Sequence, residues 1–463
     1  MTKNHFTLLC IFAFIAISST IDLDSLYPYQ DLTVPEYIER DNTPNDNPIS
    51  DIGATLGRVL FYDKQLSLDG SVACASCHKQ EFAFGDDLVQ SEGLNGMTGR
   101  HSMRLVNARF SDEVRFFWDE RAEDLEAQST QPIQDHIEMG FSGEEGDPGI
   151  DSVLDRLETI DYYQILFPEA FGDSEITEER MQLALAQFVR SIQSFDTRFD
   201  DGFVQVNNVG QPFPNYTDEE NLGKQLFLLP PNVGGAGCAG CHNPPEFSID
   251  PNSLNNGVIG VAGEPDAIDL TNTKAPSLRE LVNDQGVENG PFMHDGSLNT
   301  LMDVIEHYNQ IDIDPLNANL DPRLTGGPGG QGQNLDLTDD EKSALEAFLY
   351  TLSGEDVYSA VQWSDPFDEN GDLEIIGGSV SVDFQKGDNY EVQAYPNPCT
   401  NLITVTSELD NGTLRIYGLN GALYKELPFT GQSNIDVSLL STGTYILELT
   451  QDENRKVVKV VKH

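Results

Sequence analysis

Positive charge is scarce in this chain of 463 residues: 26 lysines and arginines stand against 77 aspartates and glutamates, a formal net charge of −51. So acidic a chain is a poor partner for nucleic acid or an anionic membrane, and it would attract a basic protein. Because the acids are spread along the whole length, the imbalance also suits solubility in salty surroundings. Long apolar runs are scarce too. The run from Phe6 to Ile17 follows Met1-Thr2-Lys3-Asn4-His5 and ends among the small residues Ala16, Ser18 and Ser19. That pattern is a secretory signal over residues 1–19, too short for a permanent span. Cysteine is the third scarcity, with six in all. Cys10 interrupts the apolar core of the signal, which makes it a poor lipid anchor, and it should leave with that segment. Four others form two tight pairs and Cys399 stands alone, so a disulfide framework is excluded.

The two pairs are what the chain does have. Cys74-Ala75-Ser76-Cys77-His78 and Cys238-Ala239-Gly240-Cys241-His242 are copies of C-x-x-C-H. Two thiols three positions apart can add to the two vinyl groups of one porphyrin, and the adjacent histidine then lies beneath the iron as its axial ligand. A redox dithiol or half a zinc site would explain either pair alone, but neither requires the histidine. Two covalently bound haem c groups are therefore expected, and haem c attachment outside the cytoplasm agrees with export.

The residues ahead of each motif repeat as well. Leu56-Gly57-Arg58-Val59-Leu60-Phe61 and Leu222-Gly223-Lys224-Gln225-Leu226-Phe227 lie about 165 residues apart, a usual domain length. The expected fold is mainly α, with two tandem cytochrome c-like haem domains at 20–203 and 204–354. An acidic linker over 355–391 then leads to a small β-sandwich at 392–463. In the first haem domain Thr177 can cap a helix whose Met181, Leu185, Phe188, Val189, Ile192 and Phe195 fall near one face. In the second, Thr217-Asp218-Glu219-Glu220 and Thr338-Asp339-Asp340-Glu341 are capping boxes, and Gly354 suits the end of the last helix. The tail alternates apolar and polar residues in Leu402–Thr406, Leu414–Tyr417 and Tyr445–Leu449, between Asn-Gly and Thr-Gly turns.

Tyr395-Pro396-Asn397-Pro398, the Gly418 to Gly421 turn, Ser441-Thr442-Gly443-Thr444-Tyr445 and the basic strand from Arg455 to Val460 make this tail resemble the C-terminal sorting domain of the type IX secretion system. The resemblance implies passage across the outer membrane by that machinery, with release or anchoring at the surface. An adhesive or carbohydrate-binding module is the alternative, but no aromatic platform is evident.

Residues 56–352 resemble the bacterial di-haem cytochrome c peroxidase family, which includes the MauG-type enzymes. The resemblance is carried by Phe116-Phe117-Trp118-Asp119-Glu120-Arg121-Ala122, continuing to Leu125, Gln128, Pro132, Glu138 and Met139. Lys274-Ala275-Pro276-Ser277-Leu278-Arg279 and Pro291-Phe292-Met293-His294-Asp295-Gly296 extend it. It implies that the haem held by His78 is the peroxidatic one, with Gln128 and Glu138 lining its peroxide pocket and Trp118 between the two haems. The haem held by His242 would store and pass electrons. The position of its distal methionine in classical members is Tyr308 here, as in MauG-type proteins, with Met293, Met302 and His307 as rival ligands. His294 would bond a propionate or the interface. Gly93 stands where classical members place a distal histidine, so the first haem should be open without prior reduction. A family calcium site near Asn289 and Pro291 uses an asparagine where this chain has His101; imidazole suits Ca²⁺ poorly, so calcium stays an open question.

The expected activity is reduction of hydrogen peroxide to water with electrons from a small cytochrome c or similar donor. A MauG-like oxidase that uses peroxide on a protein or aromatic substrate is the first alternative, and a non-catalytic surface electron-transfer cytochrome the second. The sequence leaves the donor's identity and homodimerisation open.

Overall fold

In the computed structural model, most of the longer helices begin where the sequence supplies a side-chain cap, those at Asp151 and Tyr163 being the exceptions. The structure describes Leu23, residues 26–368 apart from 327–330, residues 371–373, and most of 392–462. The expected signal at 1–19, the 374–391 part of the expected linker, and residues 396–398, 419–422 and 441–442 of the tail lie outside the described residues. The described α-helices of five or more residues are α1 (Asp51–Tyr62), α2 (Leu125–Ser129), α3 (Asp151–Leu157), α4 (Tyr163–Phe171), α5 (Glu178–Ser191), α6 (Arg198–Val206), α7 (Asp218–Leu228), α8 (Leu301–Asn309) and α9 (Asp339–Tyr350), and Cys74–Cys77 forms a single helical turn. Thr177, Thr217, Thr300 and Thr338 each accept the backbone N–H three residues on, at the starts of α5, α7, α8 and α9. Glu220 and Glu341 reach back to the N–H of Thr217 and Thr338, at 2.7 and 2.8 Å, so both expected boxes close.

The repeated Leu-Gly-x-x-Leu-Phe segment builds the same helix crossing twice. A Cβ on Gly57 would lie 1.9 Å from the Ala184 carbonyl oxygen of α5, and one on Gly223 would lie 1.8 Å from the Ala344 oxygen of α9. Four residues on, Phe61 meets Phe188 and Phe227 meets Phe348, each with ring centroids 5.2 Å apart. The α1–α5 pair and the α7–α9 pair each anchor a core, and both belong to one compact unit, residues 1–377. Gly→Ala inside a helix ordinarily stabilises by about 1 kcal/mol. At Gly57 or Gly223 the sign should reverse, with a loss of about 1–3 kcal/mol, because the new methyl meets backbone and the helices must part. Chemical denaturation of Gly57→Ala checks this; undiminished stability would refute the close approach.

Three expected boundaries move. Helix α5 ends at Ser191, so Phe195 lies past it and packs on Phe110 at 5.0 Å. The boundary after residue 203 falls inside α6, which Thr197 and Asp200 start with a capping box and whose Phe199 joins Phe213 and Phe247 in the second core. Helix α9 stops at Tyr350, not at Gly354, because the Thr351 hydroxyl and N–H turn back on Phe348 O; Gly354 N donates to Glu280 instead, at 2.9 Å.

The start of the expected linker is folded. Val357 and Trp363 are buried in the first core, and Trp363 Nε1 donates to Ser191 Oγ at 3.2 Å. Tyr62 Oη and Arg58 Nε donate to the carbonyls of Trp363 and Ser364, at 2.7 and 2.6 Å, while Gln80 holds those of Val357 and Ala360. Residues 356–364 are thus a strap on the first core. Among the described residues no helix is long and apolar enough to cross a membrane.

The second unit, residues 378–463, has strands β1 (Val392–Tyr395), β2 (Leu402–Ser407), β3 (Gly412–Gly418), β4 (Leu423–Phe429), β5 (Gln432–Asp436), β6 (Gly443–Gln451) and β7 (Asn454–Lys462). They form antiparallel sheets of order β7-β6-β3-β4 and β1-β2-β5. Ile403, Val405, Leu414, Ile416, Ile435 and Leu447 share one core between them.

Candidate functional site

Each cysteine pair opens onto a cavity walled by one of the repeated helix pairs. The first, of about 510 Å³, is lined by Cys74, Cys77 and His78 with Phe61, Leu185 and Val189. The second, of about 610 Å³, is lined by Cys238, Cys241 and His242 with Phe227, Leu345 and Leu349. Thiols on one wall, an imidazole beside them and broad apolar faces fit a covalently attached porphyrin. His78 Nδ1 lies 3.1 Å from the Phe84 carbonyl oxygen, which fixes the ring and leaves Nε2 for iron, whereas His242 Nδ1 is buried without a partner. Burial favours the neutral, ligating form of both imidazoles, pushing His78 down and His242 to about 4. It pushes Cys74 and Cys238 up to about 12 and Cys77 to about 11. A redox dithiol depends on the opposite shift.

His101, Ser102, Met103, Arg104, Trp118 and Lys274 line both cavities, so they form a shared wall. Trp118 is clamped in it. Its indole N–H donates to His101 O at 2.8 Å, its carbonyl accepts from Thr273 N and Lys274 N, and its ring stands edge-on to His294 at 6.2 Å. Lys274 Nζ donates to Glu113 O at 2.7 Å. The His101 ring is committed to Leu88 O at 2.8 Å, and the Asn289 amide donates to Glu280 O and Tyr358 Oη. Among the described residues no group of three histidine, cysteine or acidic side chains could hold a metal ion.

Gln128 and Glu138 both line the first cavity. Gln128 sits on α2, whose start Asp124 caps through Ala127 N at 2.7 Å. The Glu138 backbone is held from two sides: Asp135 Oδ1 accepts Ile137 N and Glu138 N, while Leu94 N and Asn95 N donate to Glu138 O and Ile137 O. Burial pushes the Glu138 carboxyl up to about 7, with Asp135 adding to the shift and Arg121 offsetting it. Gly93 belongs to the same loop. A Cβ there would lie 2.4 Å from Ile137 O, so the position has no room for a side chain.

In the second cavity, Leu301, Val304, Ile305 and Tyr308 present one face of α8. Tyr308 shares that wall with Met293. One amide touches both, since Asn256 Nδ2 lies 3.2 Å from Met293 Sδ and 3.4 Å from Tyr308 Oη. His307 is turned away onto Asn256 O, at 3.0 Å, and Met302 is not among the lining residues. His294 is buried, with Nε2 2.9 Å from Gly260 O.

Residues 52–207 match the di-haem cytochrome c peroxidase family. Over 365 residues the protein is 30% identical to the methylamine utilization protein MauG of Methylophilus methylotrophus, covering 75% of this chain and 95% of that one. The chain belongs to the di-haem cytochrome c peroxidase family. Within that family it is also 27% identical, over 65% of its length and 80% of the relative's, to the cytochrome c551 peroxidase of Nitrosomonas europaea. The solved structure of a MauG-like protein associated with microbial copper homeostasis superposes with a TM-score of 0.56 at 29% identity, over 73% of this chain and 99% of that one. A variant of the di-haem peroxidase BthA from Burkholderia thailandensis shares the fold, with a TM-score of 0.53 at 20% identity over 68% and 90% of the two chains. Residues 393–463 match the secretion system C-terminal sorting domain, which directs a chain to the cell surface or beyond.

Membership makes the protein an oxidoreductase of the cytochrome c peroxidase type, with two haem c groups to match its two cavities. Sequence reasoning missed Arg104 and Asn256, which stand on the cavity walls. Asn256 carries no signal in the sequence. Arg104 carries a weak one, as a rare cation between apolar neighbours.

Proposed function

We propose that this enzyme reduces hydrogen peroxide to water at the first cavity, with electrons that a small cytochrome c or similar donor delivers through the second. The reading is carried by Glu138, whose carboxyl lines the same cavity as His78 and is pushed up to about 7 by desolvation there. When bound, the haem groups supply the iron that receives peroxide and stores electrons. His78 and His242 would hold them, and Tyr308 would be a further ligand of the second. Near neutral pH, Glu138 can take the proton from one peroxide oxygen and return it to the departing one. Gln128 orients the peroxide, the apolar walls keep bulk water out, and the Trp118 indole shortens the gap between cavities. The signal and tail together take the chain across the inner membrane and then through the type IX machinery.

A MauG-like oxidation of a protein or aromatic substrate is the second reading. It is favoured by Tyr308 on the second cavity and by the filled space at Gly93. One experiment separates the two. Peroxide is added to the oxidised protein, followed by reduced cytochrome c. Reduction of peroxide consumes two electrons, so two donor molecules should be oxidised per peroxide. Peroxide loss without donor oxidation would favour the oxidase, and electron uptake from the donor with no peroxide consumed would leave an electron-transfer cytochrome. The same preparation should retain two haems after acid–acetone extraction, and Cys77→Ala and Cys241→Ala should each lose one.

A further inference from the structure

Five arginine and lysine side chains line the cavities, and four of them are committed. Arg100 pairs with Asp119 and Asp269 at 3.0 and 2.6 Å, Arg121 with Asp119 at 2.9 Å, and Arg323 with Asp321 at 2.7 Å; Lys274 is bound to Glu113 O. Arg104, on the wall common to both cavities, is the fifth. Its Nε is buried without a partner, and the guanidinium makes no hydrogen bond or ion pair among the described residues.

A guanidinium stays charged inside a protein, and a buried charge without a counter-ion is strongly unfavourable. The groups that act on it from the protein side are poor counter-ions. Burial pushes the Glu280 carboxyl up to about 7, and its Oε1 already accepts from Ser194 Oγ and from Gly354 N at 2.9 Å. The Tyr358 hydroxyl donates to Val282 O at 2.9 Å. Glu280 Oε2 is itself buried without a partner, so no carboxylate among the described residues pairs with Arg104, and the cavity is the side left open to a negative charge.

We propose that Arg104 holds a propionate carboxylate of bound haem at the shared wall, and that its charge raises the reduction potential of that haem. The proposal rests on the reading that both cavities take haem. A guanidinium can grip a carboxylate through two parallel hydrogen bonds, which neutralises both groups where water is excluded. A cation beside the macrocycle favours the ferrous state, which carries one positive charge fewer. Because the wall belongs to both cavities, the same charge biases which haem holds a shared electron.

The test is a spectroelectrochemical titration of the full-length holoprotein, with covalent haem counted first. Arg104→Gln should keep two haems and shift the reduction equilibrium of at least one at least tenfold toward the ferric state, about 59 mV for one electron. Arg104→Lys, which keeps the charge but not the fork, should recover most of that shift. In both variants the infrared bands of the haem carboxylates should move. Unmoved bands in Arg104→Lys overturn the proposal even where Arg104→Gln does not accumulate. Two haems with unchanged potentials in Arg104→Gln overturn it and leave the haem reading intact, whereas a wild type without haem overturns both. Wild-type potentials should not depend on added chloride or acetate, since a propionate is tethered; such a dependence would assign the guanidinium to a diffusible anion and sink the proposal.

Discussion

Replacing Glu138 with glutamine should lower peroxide turnover by about 10²–10⁴-fold while both haems stay attached. The substitution keeps the shape and removes the base. The segment should hold its place, because Leu94 N, Asn95 N and Asp135 Oδ1 grip the backbone of residues 137 and 138 and not the carboxyl. The pH profile gives a second readout with a definite sign. With its carboxyl pushed up to about 7 by burial, Glu138 is a base only above that pH, so wild-type turnover should climb as pH rises through about 7. The glutamine variant should lose this rise. An unchanged rate would mean that another group moves the proton, Asp135 being the other acid in the same turn.

The contrast between Glu138 and its surroundings shows what kind of information a sequence carries. Local signals were legible: Thr177, Thr217 and Thr338 start helices where expected, and the repeated Leu-Gly-x-x-Leu-Phe segments make equivalent crossings. The C-x-x-C-H pairs likewise open onto the two cavities. What stayed hidden depends on distant partners. The strap at 356–364 is acidic and aperiodic, and its order comes from Tyr62, Arg58 and Gln80, hundreds of residues away along the chain. Gly354 looked like a helix stop by residue type, but its N–H serves Glu280. Arg104, a cation between apolar neighbours, carried only a weak signal until two cavities were seen to share its wall. A place for Trp118 between the two haem sites was what the family resemblance implied, and its hydrogen bond to His101 O adds the reason why the indole is held on that wall.

Changing Tyr308 to methionine should raise the reduction potential of the second haem and create a far-red methionine-to-iron absorption band. The wild-type ferric protein should lack that band. The argument begins with the box at Thr300 and Asp303, which sets the register of α8 and brings Leu301, Val304, Ile305 and Tyr308 to the cavity. A phenolate oxygen favours the ferric state, whereas a thioether favours the ferrous one, so the direction of the shift follows from the donor atom. Met293 is the serious rival, because the Asn256 amide touches its sulfur and the Tyr308 oxygen within 0.2 Å of the same distance, 3.2 against 3.4 Å. Met293 sits at φ +72°, a left-handed conformation that a side chain adopts at about 1–2 kcal/mol, and the bridge between Phe292 and Leu298 holds it there. Tyr308→Phe separates the rivals. With Tyr308 as ligand, the phenylalanine variant should bind added cyanide or imidazole at the second haem far more readily than wild type does. With Met293 as ligand, the wild type should already show the far-red band, Tyr308→Phe should leave it in place, and Met293→Leu should abolish it.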